Sequence, residues 1–196
     1  MNTRFCLGLF WIVWLLINVS AHAADCESKT GKQPGDLVVP ENACYIVLDA
    51  NIVGALIMKP GSRLLIRNST IGRDLIAEKP AALRINLGTL DKTTSGAGES
   101  SKVVIQGSLI IEDADFTGDN AGAICDGSTV GKNVVIRGGK GKFLIGTTEW
   151  CHKPRVQIGG KIQTENSTMN IGIGQTLVED KCLPSPSVIC VTKKKR

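Results

Sequence analysis

Aromatic residues and histidines are scarce in this 196-residue chain, and their scarcity argues against several classes of protein. Phe, Trp and Tyr together make up 4% of the sequence, and there are two histidines. Modules that bind ligands on aromatic side chains need more of these groups. No segment after residue 23 keeps apolar residues at helical spacing, which argues against a helix bundle. Glycine, in contrast, occurs 22 times and favours β-strands joined by tight turns.

The sequence also lacks the common motifs of nucleophilic catalysis and phosphate binding. There is no Gly-x-Ser-x-Gly, P-loop or dinucleotide fingerprint in a suitable context. The segment 138–141 is rich in glycine but lacks the Lys-Ser/Thr that would hold phosphate and a metal ion. A catalytic histidine needs a nucleophile and an orienting partner, and neither can be assigned to His152. Its neighbour Trp150 is either a platform for a sugar ring or a residue that fills an irregular turn.

Residues 1–23 have the three parts of a secretory signal peptide. Arg4 precedes an apolar run from Phe5 to Val19, and Ala21-His22-Ala23 supplies a cleavage site. The run is shorter than the roughly 20 residues that a membrane span requires. We therefore predict cleavage after Ala23, rather than an uncleaved anchor, and an exported protein that is periplasmic or extracellular.

Six cysteines remain after cleavage, and in an exported chain they predict up to three disulfides. Zinc binding is the alternative, but no C-x-x-C spacing occurs and only one histidine remains. Many pairings are open to six cysteines, and proximity in the sequence suggests three of them. These pairs are Cys26 with Cys44, Cys125 with Cys151, and Cys182 with Cys190.

One short unit recurs along the chain: a turn of small residues that ends in glycine, then a β-branched run. Its glycines are separated by 18, 35, 24 and 28 residues, and periods near 20 residues are typical of solenoids. Glycine allows a positive φ at a tight corner and close approach of neighbouring backbones. We predict an all-β, single-domain parallel β-helix, or β-solenoid, over residues 24–181. An antiparallel β-sandwich is the alternative. The repeat glycines are Gly54, Gly72, Gly107, Gly131 and Gly159.

Two local segments add detail to this prediction. Lys59-Pro60-Gly61-Ser62 has the sequence of a type II turn, and Leu64 and Ile66 after it alternate as core residues of a strand. The small polar residues of segment 91–102 predict a loop that interrupts the repeat; it is either a linker or a contact loop.

Two of the repeats resemble a known motif. Segments 68–75, Asn-Ser-Thr-Ile-Gly-Arg-Asp-Leu, and 127–134, Gly-Ser-Thr-Val-Gly-Lys-Asn-Val, resemble the STVGGN-type repeat of a group of secreted bacterial proteins of unknown function. The resemblance implies a parallel β-helix. Segment 36–44 is similar to the opening segment of that group, which implies that Cys44 pairs with an upstream cysteine, here Cys26. The group brings no established activity. This sequence departs from the second glycine of the motif at Arg73, Ser108 and Lys132.

The densest acidic stretch runs from Glu112 to Asn120. Alternating oxygen ligands suggest a calcium loop, but position 12 of an EF-hand would fall on Ile124. On a strand, Asp113 and Asp115 would share one face, which suits paired-carboxylate chemistry on glycans with Arg137 and Lys140 as basic partners. We favour the third interpretation, a solvated strand and turn. We therefore predict no catalytic residue, no cofactor and no metal ion.

The net charge of +5 lies at the two ends of the chain. One charge belongs to residues 1–23, and four belong to Lys193, Lys194, Lys195 and Arg196. The neutral body argues against nucleic-acid binding. Residues 182–196 predict a disulfide-stapled cap followed by a basic tail, which is either solvated or contacts an anionic surface.

Together these features favour an exported, non-enzymatic β-solenoid with a structural or binding role. Its expected partners are envelope or extracellular polysaccharide, or another protein. The alternative is a small polysaccharide lyase or hydrolase, a suggestion that rests on analogy between folds. A subunit that assembles through open solenoid ends is a third possibility. The stapled ends at 26–44 and 182–190 oppose it, so we expect a monomer.

Overall fold

The computed structural model describes residues 26–87, 101–118, 122–125, 127–147, 151, 156–174 and 176–178. Within these ranges the regular elements are nineteen β-strands, and no residue is helical. The all-β prediction is thus confirmed. The predicted signal peptide, Trp150, His152 and the predicted cap and tail lie outside the described residues.

The strands in chain order are β1 (Glu27–Gln33), β2 (Leu37–Val39), β3 (Cys44–Ile52), β4 (Leu56–Met58), β5 (Arg63–Arg67), β6 (Thr70–Ile71), β7 (Leu75–Glu78), β8 (Ala82–Ile85), β9 (Val104–Ile105), β10 (Leu109–Glu112), β11 (Asp115–Phe116), β12 (Gly122–Ile124), β13 (Thr129–Val130), β14 (Val134–Arg137), β15 (Lys140–Ile145), β16 (Val156–Ile158), β17 (Ile162–Glu165), β18 (Asn170–Ile173) and β19 (Thr176–Val178).

All pairs between these strands are parallel, in a six-stranded and a 13-stranded sheet. The antiparallel sandwich is therefore wrong for the described part of the chain. The six-stranded sheet has the order β17-β14-β10-β7-β4-β2. In the larger sheet, β3 belongs to two ladders. Its first half pairs with β5, and its second half pairs with β6.

Successive strands visit the three ladders in a constant order. From β4 onward, a strand of the six-stranded sheet is followed by one from the ladder of β5 and then one from the ladder of β6, with β11 as an extra short strand. Residues that hydrogen-bond from one layer to the next lie 19 residues apart at first and then 34, 25 and 28 residues apart. Register is kept across these unequal separations, since apolar residues occupy the same core position in each strand. These residues are Leu37, Leu56, Leu75, Leu109, Val134 and Ile162.

The core lies between the ladders and is almost wholly aliphatic. Alternate residues of each strand point inward, as Leu64 and Ile66 do in β5, and both are fully buried. Phe116 and Phe143 stack in this core with ring centroids 5.9 Å apart. A second, smaller apolar cluster contains Leu87, Ala123, Leu144 and the bonded pair Cys125 and Cys151.

The repeat glycines allow neighbouring backbones to approach closely. A Cβ atom at Gly72 would lie 2.3 Å from the carbonyl oxygen of Val53, and one at Gly131 would lie 2.4 Å from that of Gln106. Positive φ, the other expected role, is wrong for all five repeat glycines. Among the described residues, left-handed corners instead use other glycines and seven residues with side chains. These seven are Asn42, Asp49, Asn68, Lys79, Asn86, Asp113 and Asn166.

At two of the five repeat glycines, Gly72 and Gly131, an Asp or Asn two residues later caps the next layer. The Asp74 carboxylate accepts a hydrogen bond from the backbone N–H of Ser108 at 2.6 Å. The Asn133 side chain accepts one from the N–H of Lys161 at 2.9 Å. An uncapped buried N–H is costly, so these short acceptors explain the Asp or Asn of the repeat.

The predicted type II turn is present. The N–H of Ser62 donates to the carbonyl of Lys59 at 3.1 Å, and Gly61 has a φ of 71°. The predicted loop at 91–102 lies outside the described residues except for Ser101 and Lys102. At its base, the fully buried Asn86 donates to the Ser101 carbonyl at 3.0 Å and accepts from the Ser101 hydroxyl. These two hydrogen bonds hold Asn86 and Ser101, at the two ends of the insertion, together.

Candidate functional site

A column of charged side chains lines the outer face of the six-stranded sheet. Each member occupies the position after the last core residue of its strand, so its side chain points away from the core. We call this set the charged column, and its members are Lys59, Glu78, Glu112, Arg137 and Glu165.

The charged column is internally paired. Arg137 donates from Nη1 to Glu112 at 2.9 Å and from Nε to Glu165 at 3.1 Å, so it joins three adjacent strands. These hydrogen bonds, first that to Glu112 and then that to Glu165, raise the pKa of Arg137. Lys59 lies 2.9 Å from Glu78. All five side chains remain between 38% and 54% exposed, so the pairs stay in contact with water.

Beside this column lies a corner that contains the two predicted aspartates. Asp115 is 3.1 Å from Lys140 Nζ and accepts a hydrogen bond from the Thr117 hydroxyl at 2.7 Å. The Thr117 hydroxyl and then Lys140 lower the pKa of Asp115, because both stabilise the ionised carboxylate.

The prediction that Asp113 and Asp115 share one face of a strand is wrong. Asp113 does not lie on a strand with Asp115, because β10 ends at Glu112 and Asp113 has a φ of 48°. The two residues therefore lack the two-residue alternation of a strand that would place their carboxylates on one face.

All four residues considered for glycan chemistry lie on two neighbouring segments. The N–H of Asp113 donates to the carbonyl of Arg137 at 2.8 Å, and Asp115 lies opposite Lys140 in the parallel pair β11–β15. Arg137 contacts Glu112 and Glu165 through its side chain, and Lys140 contacts Asp115.

The sequence alone missed five members of this site: Thr117, and the charged-column residues Lys59, Glu78, Glu112 and Glu165. Glu78, Glu112 and Glu165 occupy one position of the repeat. An alignment of the repeat units on their core residues could have found these three glutamates. No comparable repeat signal identifies Thr117.

The glycine-rich segment 138–141 is a corner, with Gly138, Gly139 and Gly141 at positive φ. The N–H of Gly138 donates to the Glu165 carbonyl at 2.8 Å, and that of Lys140 donates to Ala114 at 2.9 Å. Because these amides bond neighbouring layers, they are not directed at a phosphate. The glycines let the chain turn closely against the preceding layer.

Chemically, this region can offer paired charges to a ligand at an open surface. A general acid in a glycosidase requires a raised pKa, and the lowered pKa of Asp115 is the opposite of that requirement. Across the described ranges, no group of three or more His, Cys, Asp or Glu side chains is arranged to hold a metal ion.

Two disulfides join distant parts of the chain. Cys26 is bonded to Cys44 with a Cα–Cα distance of 4.5 Å, and Cys125 to Cys151 with a distance of 5.1 Å. Both are pairs suggested by the sequence, whereas Cys182 and Cys190 lie outside the described residues. The bonds indicate an oxidising, non-cytoplasmic environment. Nothing helical in the part of the chain described here has the length and hydrophobicity to cross a membrane.

Comparison with known proteins returned no relative: no protein family, curated protein or solved structure matches this chain.

Proposed function

We propose that the chain is an exported β-solenoid without enzymatic activity, with a structural or binding role at the cell envelope or in the extracellular matrix. Its partner is envelope or extracellular polysaccharide, or a protein. The constant order in which strands visit three parallel ladders supports the solenoid. The close contacts of the repeat glycines support it too, because a stacked coil brings successive layers into backbone contact. The two disulfides and the sequence of residues 1–23 support export.

The observation that carries the non-enzymatic role is the pairing of the candidate residues with one another. Arg137 bridges two glutamates and Lys140 neutralises Asp115, all on an open face. Glycoside hydrolases need a carboxyl group held protonated beside the scissile bond. Exposed and mutually neutralised charges do not supply such a group, and they leave the face accessible to a polymer or a protein.

Binding is tested on the folded chain with a panel of neutral, uronic-acid-rich and sulfated polysaccharides by isothermal titration calorimetry. We expect binding to one of these polymers, weakened in the double variant Arg137→Gln/Lys140→Gln. The control is Arg63→Gln/Arg67→Gln, which removes the same charge from β5. No binding to any polymer, together with no protein captured by crosslinking at the cell envelope, would contradict the proposal.

The lyase or hydrolase alternative is tested on the same panel. We expect no release of unsaturated or reducing sugar ends above the blank. Release that disappears in Asp113→Asn/Asp115→Asn would establish the enzymatic alternative and overturn the non-enzymatic role.

The basic tail gives a separate test of envelope contact. If Lys193, Lys194, Lys195 and Arg196 contact an anionic surface, their deletion reduces retention of the protein in the envelope fraction. Unchanged retention assigns the tail to solvent.

A further inference from the structure

A column of aliphatic side chains runs beside the charged column on the outer face of the six-stranded sheet. Each member lies between two core-facing residues of its strand and therefore points outward. Val38 is 43% exposed, the three isoleucines are partly exposed and Val135 is nearly buried. We call this set the apolar column, and its members are Val38, Ile57, Ile76, Ile110 and Val135.

Apolar residues on both faces of these strands are characteristic of a covered sheet. The core-facing neighbours of the column are buried, so β2, β4 and β10 read as continuous apolar runs: Leu-Val-Val, Leu-Ile-Met and Leu-Ile-Ile. In parallel sheets such runs occur where both faces are packed against other structure. With strands about 4.8 Å apart, the five strands that carry the apolar column offer a strip about 19 Å long.

The charged column of one copy is complementary to the charged column of a second copy that runs in the opposite order. From β4 to β17 the charged column reads positive, negative, negative, positive, negative. A twofold axis that is parallel to the strands and lies between the two sheets, above β10, reverses this order in a second copy. Lys59 then faces Glu165 of the second copy, and Glu78 faces its Arg137. Glu112 faces Glu112 of the second copy, and within each copy Glu112 is already paired with Arg137.

We propose that two copies of this chain pair face to face through the six-stranded sheet, with Ile110 of both copies at the twofold axis. The interface is isologous, so every contact occurs twice. The strip is smaller than the roughly 800 Å² per partner of a standard interface, and the dimer is accordingly weak and concentration-dependent. This pairing differs from the monomer expected from the sequence, and it does not depend on the proposed function.

A cysteine at the twofold axis allows such a weak dimer to be crosslinked. In Ile110→Cys the two thiols face each other, so a short bis-maleimide crosslinks the copies at micromolar concentrations of protein. The control is Val53→Cys, since Val53 is 50% exposed and lies outside the six-stranded sheet. Unsubstituted protein gives the background from native cysteines. Crosslinking of Ile110→Cys no greater than that of the control would overturn the proposal.

Charge reversal tests the register. In the Ile110→Cys background, Lys59→Glu places two negative charges opposite each other at both equivalent contacts, and Glu165→Lys places two positive charges there. Each variant alone crosslinks about tenfold less. An equimolar mixture restores crosslinking, because the two variants complement each other across the interface. Any effect of a substitution within its own chain is the same whether the variant is alone or in the mixture. Circular dichroism verifies that each variant is folded. Equal yields alone and in the mixture would overturn the proposed pairing.

Discussion

Asp74 illustrates how one side chain connects consecutive layers. It follows Gly72 in the repeat and accepts a hydrogen bond from the backbone of Ser108, which is 34 residues further on. A Cβ at Gly107 would approach Asp74 Oδ1 to 2.2 Å, so the acceptor and the glycine require each other. The glycine makes room, and the acceptor satisfies an N–H that the corner would otherwise leave unpaired.

Replacing Asp74 separates the role of the acceptor from that of the charge. Asp74→Ala leaves the Ser108 N–H without its partner and lowers the free energy of unfolding by about 1–2 kcal/mol. Asp74→Asn keeps an acceptor, as Asn133 does naturally, and its cost is below about 0.5 kcal/mol. Urea denaturation measures both. Equal losses in the two variants would assign the effect to the charge instead.

Asp115 has a lowered pKa that can be traced to its two partners. Thr117→Val removes the largest single cause and raises the pKa of Asp115 toward its ordinary value, and Lys140→Gln raises it as well. Carboxyl ¹³C chemical shifts followed by NMR against pH measure each change. Because the pKa is lower in the folded chain, ionised Asp115 stabilises the fold above its unfolded pKa. This contribution is lost as the pH falls through the folded value. A pKa of Asp115 that stays the same in both variants would contradict this assignment.

At the scale of the elements, the repeat glycines determine how closely layers can stack. Gly131→Ala places a methyl group against a backbone carbonyl, which cannot move without shifting a whole layer. We expect a loss of roughly 2–4 kcal/mol in the free energy of unfolding.

Gly172→Ala is the matched control for this substitution. Its new methyl meets only the side chains of Leu144 and Thr147, so its cost stays below about 1.5 kcal/mol. Thermal and urea denaturation of the two variants compare them directly. A similar loss at both positions would show that backbone contact is not the cause.

The strands and corners also show which structural features could be predicted from the sequence. Gly72 and Gly131, with the β-branched runs after them, suffice to predict parallel layers, because both signals are local. The partnership of Arg137 with Glu112 and Glu165 could not be read directly, since those residues lie 25 and 28 positions away. Insertions of unequal length set that register. The pairing of Asp113 and Asp115 failed for a related reason: a left-handed corner interrupts the strand that their spacing suggests.

At the scale of the whole molecule, β1 covers one end of the 13-stranded sheet. Glu27 and Lys29 pair in register with Tyr45 and Val47, which belong to the core, so two charged residues occupy core positions in the terminal layer. They form an ion pair, and Lys29 lies 5.0 Å from the centroid of the Tyr45 ring. Inward-pointing charges of this kind protect an edge from pairing with another chain.

Removing these charges tests the protective role of β1. Glu27→Val/Lys29→Val continues the apolar core columns to the end of the sheet, and we expect self-association that grows with concentration. The matched control, Ser28→Val/Lys32→Val, changes the alternate face of the same strand. Both are measured by sedimentation velocity in an Ile110→Lys background, which removes pairing through the six-stranded sheet. A sedimentation coefficient that stays constant in both variants would show that the charges do not protect this end.

NMR distance contacts test whether the chain coils through three parallel ladders in register. Backbone contacts between amide protons and neighbouring strands must link Leu37, Leu56, Leu75, Leu109, Val134 and Ile162 in that order, at the spacing of parallel strands. A chain coiled in this way gives this unbroken series. Short contacts between the α-protons of facing residues, which are characteristic of antiparallel pairs, would contradict it.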